Sequence, residues 1–175
     1  MKKLSALIIL ITLIGISCER DDICAESTLT TPHLIIRFYN VDDQDQTKQV
    51  RLLTVNGVDS DGNLLDNIVS STSTDSIVLP LYFQNEGIVT KSRFELKRDS
   101  DFDFDSSDTT FSNTDIIEVS YTPEFIYVSR ACGYKSIFNN AQNTIILDTD
   151  QWIFGYEIIN PTIENENAAH IILYH

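Results

Sequence analysis

Beyond residue 30 the apolar residues recur at every second position in short runs, and no run carries the period of a long helix. In L-I-I-R-F-Y-N, Leu34 to Asn40, an extended chain puts Leu34, Ile36 and Phe38 on one face and Arg37 and Tyr39 on the other, with Ile35 between them. The same parity sets Phe94 and Leu96 against Arg93, Glu95 and Lys97. Such runs, rich in Val, Ile, Tyr and Phe and separated by Asp, Asn, Ser and Gly, read as half-buried strands joined by turns. They fall at Leu34–Asn40, Gln49–Val55, Ser76–Phe83, Thr90–Lys97, Asp115–Tyr121, Phe125–Ala131, Thr144–Leu147, Trp152–Ile159 and Ala169–Tyr174. The pattern predicts an all-β fold, a single-domain antiparallel β-sandwich of about nine short strands over residues 33–175. D-S-D-G-N, Asp59 to Asn63, reads as a hairpin turn. Pro80 has no N–H to give to a ladder, which places its strand at an edge or a bulge.

The N-terminus obeys a different rule. Met1-Lys2-Lys3 is followed by the charge-free apolar run Leu4 to Ser17, which ends at the polar C-E-R-D-D. The run is shorter than the roughly 20 residues a membrane-spanning helix needs, and it has the build of a signal peptide. Ile16-Ser17-Cys18 resembles a bacterial lipobox, although Gly15 stands where such sites most often carry Leu. The resemblance implies residues 1–17 as a lipoprotein signal peptide, an acylated Cys18, a tether over 18–32 and anchoring in the lipid bilayer. Two or three acyl chains hold a protein stably, whereas one is marginal. Glu19 is not the Asp that resembles an inner-membrane retention signal, so the expected address is the outer membrane, periplasmic or surface-facing. Glu19, Asp21 and Asp22 resemble export tags of surface lipoproteins and read equally well as solvated tether.

The full chain carries 12 basic and 26 acidic residues, a net charge of −14. Cleavage before Cys18 removes Lys2 and Lys3 and leaves a net of −16. Nucleic acid is not an expected partner of so acidic a chain, because that binding rests on neutralising phosphates with Lys and Arg.

The most distinctive stretch of the mature chain is D-I-I-E-V-S-Y-T-P-E-F-I-Y-V-S-R-A-C-G-Y-K-S-I-F, Asp115 to Phe138. With C-E-R-D-D-I-C near the start and A-A-H-I-I-L-Y near the end, it resembles an uncharacterised family of Bacteroidota lipoproteins, a domain of unknown function. The resemblance implies a lipoprotein with a small β-rich domain and brings no activity, cofactor or binding residues.

Familiar chemistry is missing from the sequence: there is no G-x-S-x-G, no H-E-x-x-H and no C-x-x-C. His170 and His175, five residues apart on one strand, lie on opposite faces about 16 Å apart, too far to share a metal. They and His33 read as structural or solvent-facing. One acidic loop, R-D-S-D-F-D-F-D-S-S-D, gathers Asp99, Asp101, Asp103, Asp105 and Asp108, and hard cations such as Ca²⁺ take several oxygen ligands. It begins like an EF-hand loop, then puts Phe104 where the sharp turn needs Gly and Thr110 where a bidentate Glu is needed. The competing readings are a solvated loop and a strand with one wet face. Trp152, Phe154 and Tyr156 alternate in W-I-F-G-Y-E-I-I, either as an inner sandwich face or as a stacking platform for sugar rings, with core packing favoured.

With Cys18 committed to lipid, Cys24 and Cys132 remain in an oxidising compartment, and parity argues for a disulfide between them. The alternative is two free thiols. A bridge at Cys24 keeps the end of the Phe125–Ala131 run within about 20 Å of an anchor at Cys18, the most that six extended residues can span. Two functional classes follow: a non-catalytic accessory or binding module for an envelope protein or glycan, and an envelope enzyme whose site is assembled only in the fold. The missing motifs favour the module.

Overall fold

The computed structural model describes residues 23–25, 28, 30–100 and 112–175. Among them every regular element is a strand: β1 (Leu34–Tyr39), β2 (Val50–Val58), β3 (Leu64–Thr74), β4 (Ser76–Leu79), β5 (Thr90–Arg98), β6 (Asn113–Ser129), β7 (Gly133–Ile146), β8 (Gly155–Ile158) and β9 (Ile171–Tyr174). The chain divides into two compact units, residues 29–126 with 135–175 and residues 1–28 with 127–134.

The larger unit is the sandwich. One sheet has the order β4-β1-β9-β8 and the other β3-β2-β5-β6-β7. The alternation in β1 does what its pattern demands: Leu34, Ile36 and Phe38 are fully buried while the residues between them are half-buried. Across the ladders Leu34 meets Leu79 and Phe38 meets Leu173. From the second sheet Val55 and Leu96 are register partners, as are Phe94 and Ile117, and all four join the same core. Burial of apolar area at about 25 cal/mol per Å² is what favours this arrangement over the hydrated chain.

Four features depart from the strand pattern read in the sequence. First, β1 and β9 run parallel, so the sandwich is antiparallel in its other described pairings but not in this one. Second, the runs read as Asp115–Tyr121 and Phe125–Ala131 are one long strand, β6. Its Pro123 lies beyond Tyr121, where the pairing with β5 ends, so it interrupts no bond of that ladder. Third, L-L-D-N-I-V-S-S-T-S-T is strand β3, although its Ser, Thr, Asp and Asn read as loop. It pairs with β2 through repeated register shifts, with Leu52 and Ser71 at positive φ, so its side chains do not alternate cleanly. Fourth, β7 begins at Gly133, far ahead of the Thr144–Leu147 run. The turn at Asp59–Asn63 and the edge position of β4, which ends just before Pro80, are as the sequence indicates.

Trp152 is buried, but not as one of three aromatics on a face. Trp152 and Ile153 both point inward, Phe154 and Tyr156 are exposed, and β8 begins only at Gly155. The cause is Asp115. Its Oδ2 accepts the backbone N–H groups of both Trp152 (3.1 Å) and Ile153 (2.8 Å), and the indole N–H donates to Leu96 O at 3.2 Å. Two successive backbone donors turned to one carboxylate oxygen cannot follow an extended pleat.

The C-terminal histidines are core residues. His175 stands edge-on to both Phe38 and Trp152 and donates from Nε2 to Lys48 O at 3.2 Å. His170, 1% exposed, accepts the Ile35 N–H at Nδ1 (3.0 Å) and contacts Asn165 O through Nε2 (3.0 Å). An imidazole that accepts at Nδ1 carries its proton on Nε2, so the buried ring is neutral. Burial holds both histidines below the ordinary value. A depressed histidine is protonated more readily in the unfolded chain, so its contribution to stability is complete above about pH 6.5 and is lost as pH falls below it. We expect the urea midpoint to drop between pH 8 and pH 5, and the drop to shrink in His170→Asn. An equal drop in the variant would show that His170 does not carry it.

The smaller unit contains the tip of the β6–β7 hairpin. Cys24 is disulfide-bonded to Cys132, 108 residues apart in sequence. The turn is completed by Gly133 at φ 70° and by the Cys132 N–H donating to Ser129 Oγ at 3.1 Å. The rings of Tyr127 and Tyr134 meet edge to face at 5.4 Å.

Candidate functional site

A groove of about 1010 Å³ opens in the sandwich between β2, β3 and β5 on one side and the chain leaving β4, Pro80–Leu81–Tyr82, on the other. Its apolar lining includes Leu64, Leu65, Ile68, Leu81, Tyr82 and Phe94, and its polar residues include Asp59, Asp66, Lys91, Ser92 and Arg93. The groove is open to solvent and mixes apolar with polar side chains. Leu64, Leu65 and Tyr82 are more than half exposed, which is unusual for large apolar side chains converging on one concavity.

Local chemistry shapes the groove. Gly57 lets Leu65 lie against β2, because a Cβ at that position would meet Leu65 Cβ at 3.3 Å. At the hairpin end, Asp59 accepts from the backbone N–H of Asp61 (2.9 Å) and Asn63 (2.8 Å), and the side-chain bond from Asn63 is the chief cause that holds its carboxyl below the usual range. Lys91 and Arg93 both bond Glu118, at 2.7 and 2.6 Å. Those bonds, the one from Lys91 foremost, lower the Glu118 carboxyl.

The chain leaving β4 is fastened by a closed ring of hydrogen bonds. The Tyr82 N–H donates to Ser92 Oγ (3.1 Å), and Tyr121 Oη donates to Tyr82 O (2.6 Å). With the tyrosine proton so committed, the 2.5 Å contact between Ser92 Oγ and Tyr121 Oη has Ser92 as its donor. Burial raises the Tyr121 hydroxyl to about 12. Ser92 therefore has its proton spent, and no histidine lines the groove to withdraw it. As a nucleophile it lacks the adjacent base that activation requires.

The residues singled out in the sequence are not brought together here. Cys18 and Asp101, Asp103, Asp105 and Asp108 lie outside the described residues. Asp99 is described at φ 50°, with its carboxylate engaged by Arg51 at 2.5 Å and Arg98 at 3.8 Å. Two guanidinium groups on that carboxylate compete with any cation. No group of three or more potential metal ligands occurs among the described residues. His33 bonds Glu166 at 2.7 Å. The groove itself was not legible in the sequence, since it joins segments that pattern reading treats separately. One signal was available: Ser92 shares the inward parity of Phe94 and Leu96, so a hydroxyl was due to face the interior.

Residues 52–175 match the family of unknown function DUF6452, and the chain belongs to that family. The match takes in β3 to β9, nearly all of β2, and Cys132, while β1 and Cys24 precede it. No curated protein and no solved structure matches the chain.

Removing the Tyr121 hydroxyl leaves the Tyr82 carbonyl and the Ser92 proton without partners at a largely buried site. Tyr121→Phe is expected to cost about 1–3 kcal/mol in urea denaturation. Loss of less than a few tenths would mean that the ring does not fasten this edge.

Proposed function

We propose that this protein is a lipid-anchored envelope lipoprotein of the outer membrane, acylated at Cys18 after removal of residues 1–17, and that it serves as a non-catalytic binding module. The signal-like run behind Lys2 and Lys3 and the lipobox-like Ile16-Ser17-Cys18 support the anchor. Cys24 paired with Cys132 supports an oxidising compartment.

The observation that carries the binding role is the groove: converging exposed apolar side chains beside a hydroxyl whose proton is already committed. Such a surface gains free energy by covering Leu64, Leu65 and Tyr82. It offers no activated nucleophile among its lining residues. The ligand class it suits is an apolar segment of an envelope protein or a glycan, whose ring faces could stack on Tyr82.

Two substitutions test the proposal separately. Cys18→Ser is expected to abolish incorporation of labelled fatty acid and to release the protein from the membrane fraction. Continued labelling and membrane fractionation would remove the lipobox reading. Leu65→Lys, placed in the groove, is expected to abolish the cross-linked adducts of the anchored protein, with membrane fractionation unchanged. Val78→Lys, on the exposed face of β4, is the control. Equal adducts from Leu65→Lys and the control would rule the groove out.

A further inference from the structure

Among its described residues the smaller unit carries three exposed large apolar side chains that do not line the groove. Tyr127 and Tyr134 are 59% and 70% exposed although their rings contact each other, and Ile23, beside the bridged Cys24, is 84% exposed. We infer that this hairpin tip is seated in the lipid headgroup region, with Tyr127 and Tyr134 as interfacial anchors. The inference rests on acylation at Cys18.

Covalent reach limits where the tip can be. Six residues separate Cys18 from Cys24, which spans at most about 20 Å when extended, and Cys24 is bonded to Cys132 in the turn between the two tyrosines. An acylated Cys18 lies at the bilayer surface, and with 4.8 Å between the Cα atoms of the bridge the turn stays within about 25 Å of it however the tether bends. Side chains kept so near a bilayer are sorted by their chemistry. Tyrosine has an apolar ring and a polar hydroxyl, the combination enriched where hydrocarbon meets water.

The charge of the tip agrees with this placement. In a chain of net charge −14, residues 127–134 contain one charged side chain, the exposed Arg130, which suits a phosphate headgroup. A cross-strand aromatic pair that only stiffened the hairpin would need neither the exposed Ile23 beside the bridged Cys24 nor the bridge to the tether.

The test places an indole at the tip with Tyr134→Trp. The natural Trp152 is fully buried and supplies a constant background. Acylated full-length protein is reconstituted in phosphatidylcholine vesicles, with or without bromine near the headgroup end of the acyl chains. Acyl labelling and the intact Cys24–Cys132 bridge are verified on the same sample. The expected result is a blue-shifted emission from the introduced indole and its loss in brominated vesicles. Acylated protein whose indole emits as in water and ignores the brominated lipid overturns the inference and leaves the anchor standing. Emission resistant both to brominated lipid and to aqueous acrylamide shows the tip covered by a second copy of the chain and also overturns it. If no acyl label is found and the protein stays off the vesicles, the anchor proposal falls, and the seating falls with it.

Discussion

One carboxylate links the two sheets of the sandwich at the approach to β8. Asp115 belongs to β6, on the five-stranded sheet, and its Oδ2 takes the backbone N–H groups of Trp152 and Ile153 just before β8 enters the four-stranded sheet. Trp152 then spans the gap, its ring near Phe38 of one sheet and its N–H on the Leu96 carbonyl of the other. Arg98 covers its face at 5.9 Å and His175 meets it edge-on. Burial raises the Asp115 carboxyl against the lowering effect of its two N–H donors. The interaction therefore trades desolvation of a carboxylate for a defined position of the largest core side chain. An apolar residue at position 115 would avoid the desolvation but leave two buried N–H groups unpaired, which costs more than a typical hydrogen bond returns.

That clamp also explains which parts of the fold could be read in advance. In β1 and β5 one face is core and the other is polar, so parity alone gave the inward residues Leu34, Ile36, Phe38, Phe94 and Leu96. In W-I-F-G-Y parity misled, because the backbone at Trp152 and Ile153 answers to a carboxylate 37 and 38 residues away rather than to a neighbouring strand. Strand β3 was hidden for a related reason. Its residues are mostly exposed and its ladder to β2 is interrupted, so no hydrophobic face marks it. The runs Asp115–Tyr121 and Phe125–Ala131 read as two strands, yet they join in β6, whose pairing with β5 ends at Tyr121.

The candidate sites were less legible than the fold, and the two differ in kind. The disulfide could be argued from counting, because three cysteines with one assigned to lipid leave a single pairing. The groove could not, since Gly57, Leu65, Leu81 and Ser92 acquire a common role only once β3 and the chain leaving β4 are placed. A reading by motif looks for reactive side chains, whereas this site consists of apolar residues left uncovered. The acidic loop drew attention for its carboxylates, yet its one described member, Asp99, is bound by arginines.

Hydroxyl chemistry decides how the groove is best understood. A serine in a cleft becomes reactive when a neighbour accepts its proton and nothing else holds it. Here the proton of Ser92 goes to Tyr121, the proton of Tyr121 goes to the Tyr82 carbonyl, and the Tyr82 N–H returns to Ser92. Each group donates once within the ring, so all three are satisfied without water or ligand. The raised Tyr121 hydroxyl opposes ionisation, which keeps the ring intact across physiological pH. Free energy at this position is thus committed to fixing the edge from Pro80 to Tyr82, and with it one wall of the groove. A wall held by saturated hydrogen bonds presents its apolar side chains in a fixed geometry, so the binding proposed for this groove would meet a preformed surface and carry little ordering cost.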